Sequence, residues 1–184
     1  MGIQAPELIC IGSSGTGKTC LIKHFCDSKF NSGYQATVGV DYGFKVQHLN
    51  GIDLRVHLWD LSGSSEYFEV RNELYPKTDG IFIVYDITNS ASFESLDYWL
   101  KEISKYSTTR PVIFIVGNKI DLQQKRAITL VDGKTFAHNN KCGYFETSAL
   151  TGEGISEMFQ ELLFNIMNKK TEQSTGGLNK SKIL

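Results

Sequence analysis

No C-x-x-C pair joins any of the four cysteines Cys10, Cys20, Cys26 and Cys142, and no histidine lies at metal-ligand spacing from them. That spacing excludes the common zinc frameworks, and the thiols read as reduced and mostly buried, as in a cytosolic protein. No strong excess of charge is present either: the formal net charge is −1, so nothing global draws the chain to nucleic acid or an anionic membrane. No apolar run approaches the ~20 residues of a membrane span. The opening "MGIQAP" lacks the basic start and apolar stretch of a secretory signal, and Pro6 stands where a myristoylation signal wants Ser or Thr. The closing "NKSKIL" has no cysteine to carry a prenyl group, so membrane association is expected to be weak or indirect. There is no internal repeat.

What is present is an ordinary globular mix in 184 residues, with 41% hydrophobic and 21% charged residues, the length of one domain. Short apolar runs alternate with helix-period segments. Leu8–Ile11, "IFIVY" from Ile81 to Tyr85 and "VIFIV" from Val112 to Val116 suit strands buried on both faces of a parallel sheet. Between the last two, Phe93, Leu96, Leu100 and Ile103 mark one face of a helix over 90–105. Ile155, Phe159, Leu162 and Ile166 mark a final helix, and Thr129 with Asp132 three residues on is an aspartate version of a helix-start signature. Val40–Leu49 and Ile52–Trp59 flank Asn50-Gly51, a hairpin signal that supplies one antiparallel strand. The expected fold is α/β, a six-stranded, mostly parallel sheet with helices on both faces. It spans 7–168, and a flexible polar tail follows from Lys169.

Gly12–Thr19 reads "GSSGTGKT", a match to G-x-x-x-x-G-K-[ST] placed between an apolar strand and a helical pattern starting near Lys18. Gly12, Ser14, Gly15, Thr16 and Gly17 let consecutive N–H groups converge on a polyphosphate, helped by the positive end of the following helix. Lys18 supplies a cation to the phosphates, and the Thr19 hydroxyl suits an octahedral Mg²⁺ shell, with Cys20 next in line. This motif implies a nucleoside triphosphate but not which one; an ATPase or kinase shares it.

The base is read elsewhere. "NKID", Asn118 to Asp121, ends the third buried strand, where ligands meet such sheets. The Asp121 carboxylate can accept from guanine N1–H and the exocyclic amine; adenine has neither donor and would strand a buried charge. The aliphatic stem of Lys119 can lie along the base plane. In "TSA", Thr147 to Ala149, the N–H groups around Ser148 and Ala149 can meet the guanine carbonyl, and Phe30 can cover the nucleotide from the other side. Alone, "NKID" is also an ordinary polar turn.

With "GSSGTGKT", "ATVGVDY" (Ala36–Tyr42), "WDLSG" (Trp59–Gly63), "NKID" and "ETSA" (Glu146–Ala149) in this order, the chain resembles the Ras-like small GTPases, the Rab branch most closely, over residues 7–168. "YFEVRNELY" (Tyr67–Tyr75) and "YFETSALTGEGISEMFQ" (Tyr144–Gln160) are similar to the Rab-like RJL/RBJ group, whose animal members often carry an appended J domain; these 184 residues contain no J-domain sequence. The resemblance implies a P-loop G domain that binds GTP/GDP with Mg²⁺ and acts as a monomeric cytoplasmic switch on protein effectors and regulators. It implies that Thr37 binds Mg²⁺ and senses the γ-phosphate, that Tyr34 closes over the nucleotide, and that Asp60 holds a water of the metal shell. It further implies that the Gly63 N–H meets the γ-phosphate, and that Tyr42, Trp59 and Tyr75 form a partner-facing aromatic cluster.

One departure stands out. In this family the residue after "DxxG" is usually a glutamine that orients the attacking water. Here Ser64 takes that place beside Gly63 and Lys18 in the catalytic region. A serine hydroxyl is two bonds shorter and offers one hydroxyl in place of an amide's separate donor and acceptor. The expectation is intact nucleotide binding with slow intrinsic hydrolysis; the alternative is a GTP-binding scaffold that essentially never hydrolyses.

Overall fold

The computed structural model describes residues 5–28 and 35–180, with backbone alone for 174–180. Six strands form one sheet in the order β2-β3-β1-β4-β5-β6. They are β1 (Glu7–Ile11), β2 (Val40–Leu49), β3 (Ile52–Leu61), β4 (Gly80–Asp86), β5 (Val112–Asn118) and β6 (Gly143–Thr147). Only β2 and β3 pair antiparallel. They are joined at Asn50 and Gly51, both at positive φ (51° and 79°), the backbone a tight hairpin turn requires.

The helices are α1 (Lys18–Asp27), α2 (Phe68–Asn72), α3 (Ser90–Glu94), α4 (Leu96–Tyr106), α5 (Leu130–Asn139) and α6 (Ile155–Lys180). The period-2 alternation of the strands divides the core into two layers. Leu8, Cys10, Phe82, Val84, Phe114 and Val116 face one way, toward Phe25 of α1 and Phe159 of α6. Ile9, Ile11, Ile81, Ile83 and Ile115 face the other, toward Leu96, Trp99 and Ile103 of α4 and Ala137 of α5. All seven residues of β4 are buried, which is why its run is continuously apolar.

Two elements differ from the sequence reading. The helix expected over 90–105 is two helices, meeting at Ser95, whose backbone stays right-handed at φ −71°, ψ −9°. The Ser95 hydroxyl donates to the Ser92 carbonyl (2.8 Å) and also meets the Ser13 hydroxyl (2.8 Å), so this joint touches the phosphate loop. The last helix does not end near Lys169: its backbone continues to Lys180. Lysine, glutamate and glutamine are good helix formers, the Thr171 hydroxyl donates to the Met167 carbonyl (2.9 Å), and Lys170 pairs with Asp79 at 2.9 Å. Of the cysteines, Cys10 alone is fully buried; Cys20, Cys26 and Cys142 are half-buried, and no disulfide joins any of the four. Thr129 and Asp132 form the full reciprocal capping box at the start of α5.

The register brings the motif residues to one edge of the sheet. Asp86 lies opposite Asn118 and Asn118 opposite Thr147, so β4, β5 and β6 end on one edge. Asp60 lies opposite Cys10, two residues before Gly12, on the same edge. Among the described residues, no helix is long and apolar enough to cross a membrane.

Candidate nucleotide and cation site

The loop after β1 is curled by glycines where a side chain has no room. Gly12 sits at φ 137°, and a Cβ there would lie 2.2 Å from the Val84 carbonyl oxygen. Gly17 sits at φ 94° as the residue before α1, and its Cβ would strike the Asn118 amide at 2.3 Å. The Thr16 hydroxyl closes the loop on the Ser13 carbonyl at 3.0 Å. Lys18, 6% exposed, donates to the Gly12 and Ser13 carbonyls (2.8 and 2.9 Å), leaving one of its three donors for an anion. Burial holds its pKa below the usual lysine range.

Asn118 welds this loop to the segment that follows β6. Its Nδ2 donates to the Thr16 carbonyl (2.8 Å), and its Oδ1 accepts from the Thr147 hydroxyl (3.2 Å) and the Ala149 N–H (3.1 Å). The Ser148 hydroxyl donates to Asp121 Oδ1 at 2.6 Å, fixing the carboxylate. Lys119, in a left-handed conformation at φ 71°, is held by Asp86 at 2.7 Å. That pair and the Asp86 contacts to Thr88 draw the Asp86 pKa down despite burial.

On the other side of Lys18, Thr19 and Thr37 meet Asp60. Their hydroxyls are 3.0 Å apart; that of Thr37 donates to Asp60 Oδ2 at 3.2 Å, and that of Thr19 donates to the same oxygen. Asp60 Oδ1 is buried and has no hydrogen-bond partner, and burial raises the Asp60 pKa above the carboxylate norm. Two hydroxyls beside a carboxylate with an orphan oxygen form an all-oxygen set that suits a hard divalent cation.

A cleft of about 570 Å³ brings these parts together. It is lined by Ser14, Gly15, Gly17, Lys18, Thr19, Cys20, Thr37, Gly63, Ser64, Asn118, Lys119, Asp121 and Ala149. Gly12, Thr16, Asp60 and Ser148 do not line it and act through the contacts above. Phe30 and Tyr34 lie outside the described residues. Lys23, Leu122 and Leu150 also line the cleft, and the sequence reading did not name them. Leu122 and Leu150 directly follow Asp121 and Ala149, and that adjacency was the available signal in the sequence.

Gly63 rests on the phosphate loop: a Cβ there would lie 2.5 Å from the Gly12 carbonyl oxygen and 2.7 Å from the Ser14 nitrogen. The Ser62 N–H donates to the Gly39 carbonyl (2.9 Å), tying the segment after β3 to the one before β2. The Ser64 hydroxyl accepts from the Glu66 N–H at 3.4 Å, capping the tight turn Ser65–Tyr67.

The aromatic cluster needs a correction. Tyr42 is 47% exposed and Trp59 half-buried, with ring centroids 4.8 Å apart, and the Trp59 indole donates to Glu7 at 2.8 Å. Tyr75 is not on that surface. It is fully buried in the core layer against which Trp59 also packs, its hydroxyl donating to Glu102 at 2.7 Å, so no part of it reaches the surface.

The human protein named DnaJ homolog subfamily C member 27 is 39% identical over 167 residues, covering 88% of this chain and 61% of that protein. The zebrafish (Danio rerio) protein of the same name is 37% identical over 165 residues, 87% of this chain and 60% of that one. DnaJ homolog subfamily C member 27-A of Xenopus laevis is 39% identical over 159 residues, 84% and 58%. The chain thus spans about three-fifths of the length of these relatives. They agree with the resemblance to the Rab-like group drawn from the motifs. With the Ras family model matching residues 7–168, from β1 into α6, the chain belongs to the Ras family and carries a small GTPase domain.

Proposed function

We propose that this chain is a Rab-like molecular switch that binds GTP and GDP with Mg²⁺ and hydrolyses GTP slowly. Members of the Ras family bind these nucleotides with Mg²⁺ in general; the assignment to these residues is our reading. Lys18 and the loop amides take the phosphates, and Asp121, held by Ser148, selects guanine through its two acceptor oxygens. Thr19, Thr37 and Asp60 would hold Mg²⁺, which when bound supplies positive charge to the phosphate oxygens.

Slow hydrolysis rests on Ser64. Its carbonyl accepts from Arg71 at 2.6 Å and its hydroxyl accepts from the Glu66 N–H at 3.4 Å, so the backbone here is held while the short side chain reaches less far toward an attacking water than a glutamine amide. Positioning is most of what a phosphoryl-transfer site contributes, and this position supplies little of it. Tyr42 and Trp59, with Phe44 and His57 on the same face of the hairpin, form the surface we assign to effectors and regulators. We place the protein in the cytoplasm, meeting membranes through partners.

The test is a single-turnover hydrolysis time course of the wild type and Ser64→Gln, after analysis of the nucleotide that co-purifies. A slow wild type that Ser64→Gln accelerates is expected. Equal rates would remove position 64 from the explanation, and no phosphate release over many hours would assign the non-hydrolysing scaffold instead.

A further inference from the structure

Gly63 is held from behind by a buried ion pair. Arg71 of α2, 1% exposed, donates through Nη1 to the carbonyls of Ser62 (3.0 Å) and Ser64 (2.6 Å). Those are the residues on either side of Gly63. The same guanidinium grips Glu102 of α4 with both arms, Nε to Oε1 at 2.9 Å and Nη2 to Oε2 at 3.1 Å. Tyr75 adds its hydroxyl to Glu102, and the Trp99 ring centroid lies 5.1 Å from the guanidinium carbon.

This arrangement is costly to bury and is weak evidence for a purely stabilising role. Burial works to lower the Arg71 pKa and raise that of Glu102, yet their mutual bonds win in both directions, and the pair stays ionised. What the pair accomplishes geometrically is specific. A planar, rigid cation bonds two carbonyls that flank one glycine and anchors them to a helix of the core. That glycine is pressed against the phosphate loop, where a Cβ would lie 2.5 Å from the Gly12 carbonyl oxygen.

We propose that Arg71 is a positioning residue for nucleotide discrimination: by bracing Ser62 and Ser64 on Glu102, it holds the Gly63 N–H in place for a γ-phosphate and so favours the triphosphate over the diphosphate. The inference rests on the nucleotide-switch reading above. A ligand shifts or selects a conformation only through contacts that differ between states, and the Gly63 contact is available to the triphosphate alone. Bracing the loop beforehand removes the ordering cost that the triphosphate would otherwise bear. The diphosphate never uses the contact, so its affinity is insensitive to the brace.

The experiment measures affinities for GDP and for a non-hydrolysable GTP analogue, each with Mg²⁺, on the wild type, Arg71→Lys and Glu102→Gln. Lysine keeps the charge but lacks the fork that reaches both carbonyls and both carboxylate oxygens. Glutamine keeps the shape but weakens the anchor, and it provides a reading should Arg71→Lys not fold. The expected result is analogue binding weakened about tenfold in Arg71→Lys and about threefold in Glu102→Gln, the scale of a lost or weakened charge-assisted bond, with GDP affinity held within about twofold. Faster amide exchange at residues 62–64 of the analogue-bound variants accompanies it. Equal weakening of both nucleotides would mark the pair as structural only and overturn the inference. A wild type that binds both nucleotides, with variants that keep its ratio, overturns the inference alone. A wild type that binds neither overturns the nucleotide reading and this inference with it.

Discussion

Asn118 is 1% exposed and is the point where three separate segments meet, so replacing it with alanine probes the whole site at once. The substitution deletes the 2.8 Å bond to the Thr16 carbonyl and the bonds from the Thr147 hydroxyl and Ala149 N–H at 3.2 and 3.1 Å. At about 1 kcal/mol net per bond, the loss is about 3 kcal/mol, and the stranded Ala149 N–H and Thr16 carbonyl carry it toward 4–5 kcal/mol. Thr147→Val, at a fully buried position, removes only the hydroxyl bond and keeps the shape, so its cost is about 1 kcal/mol. Urea unfolding of the nucleotide-free proteins, at equal slopes, gives both numbers. The same segments line one cleft, so Asn118→Ala also weakens guanine nucleotides, while Thr147→Val changes binding little. If Asn118→Ala costs no more than Thr147→Val, the welding role assigned to this amide is wrong.

Two further outcomes follow from the same geometry. Asp60 is destabilising while ionised, because burial raises its pKa and one oxygen lacks a partner. A raised folded-state pKa means stability is fully present below the ordinary aspartate range and is lost as pH rises through the folded value. Nucleotide-free, Mg²⁺-free Asp60→Asn is therefore more stable than the wild type at pH 7; the difference closes as the pH falls toward about 4, and Mg²⁺ no longer enhances nucleotide affinity in the variant. A wild type more stable than Asp60→Asn under those conditions would contradict this. Phe159 of α6 stacks on Phe25 of α1 at 3.6 Å between centroids and meets Phe82 edge-on at 4.7 Å. Phe159→Ala costs about 3–5 kcal/mol by denaturant unfolding, and a loss under about 1.5 kcal/mol would show that the layer repacks freely.

Much of the fold was legible in the residues because its signals are local. The continuous apolar run of β4 states burial on both faces. Asn50-Gly51 states a turn, and Thr129 with Asp132 states a helix start. Each is decided by backbone conformation or side-chain period within a few residues. "GSSGTGKT" and "NKID" are legible for the same reason: the glycine spacing and the single carboxylate write their chemistry into short segments. What periodicity missed is the joint at Ser95, because the apolar face of the 90–105 segment continues unbroken across it, while the hydroxyl contact to Ser13 comes from the distant phosphate loop.

The sequence by itself determined most of the strand and helix alphabet and the glycine-rich phosphate loop, and it places "NKID" at a strand end and a serine at position 64. Only the tertiary structure decided that Tyr75 lies inside, that Arg71 and Glu102, 31 residues apart, form one buried pair, and that Ser64 is bound at both its hydroxyl and its carbonyl. The physical reason is range. Turn chemistry and side-chain period act between neighbours in the chain, whereas burial and ion pairing depend on which helix the sheet brings alongside, and nothing within a short window of sequence specifies that.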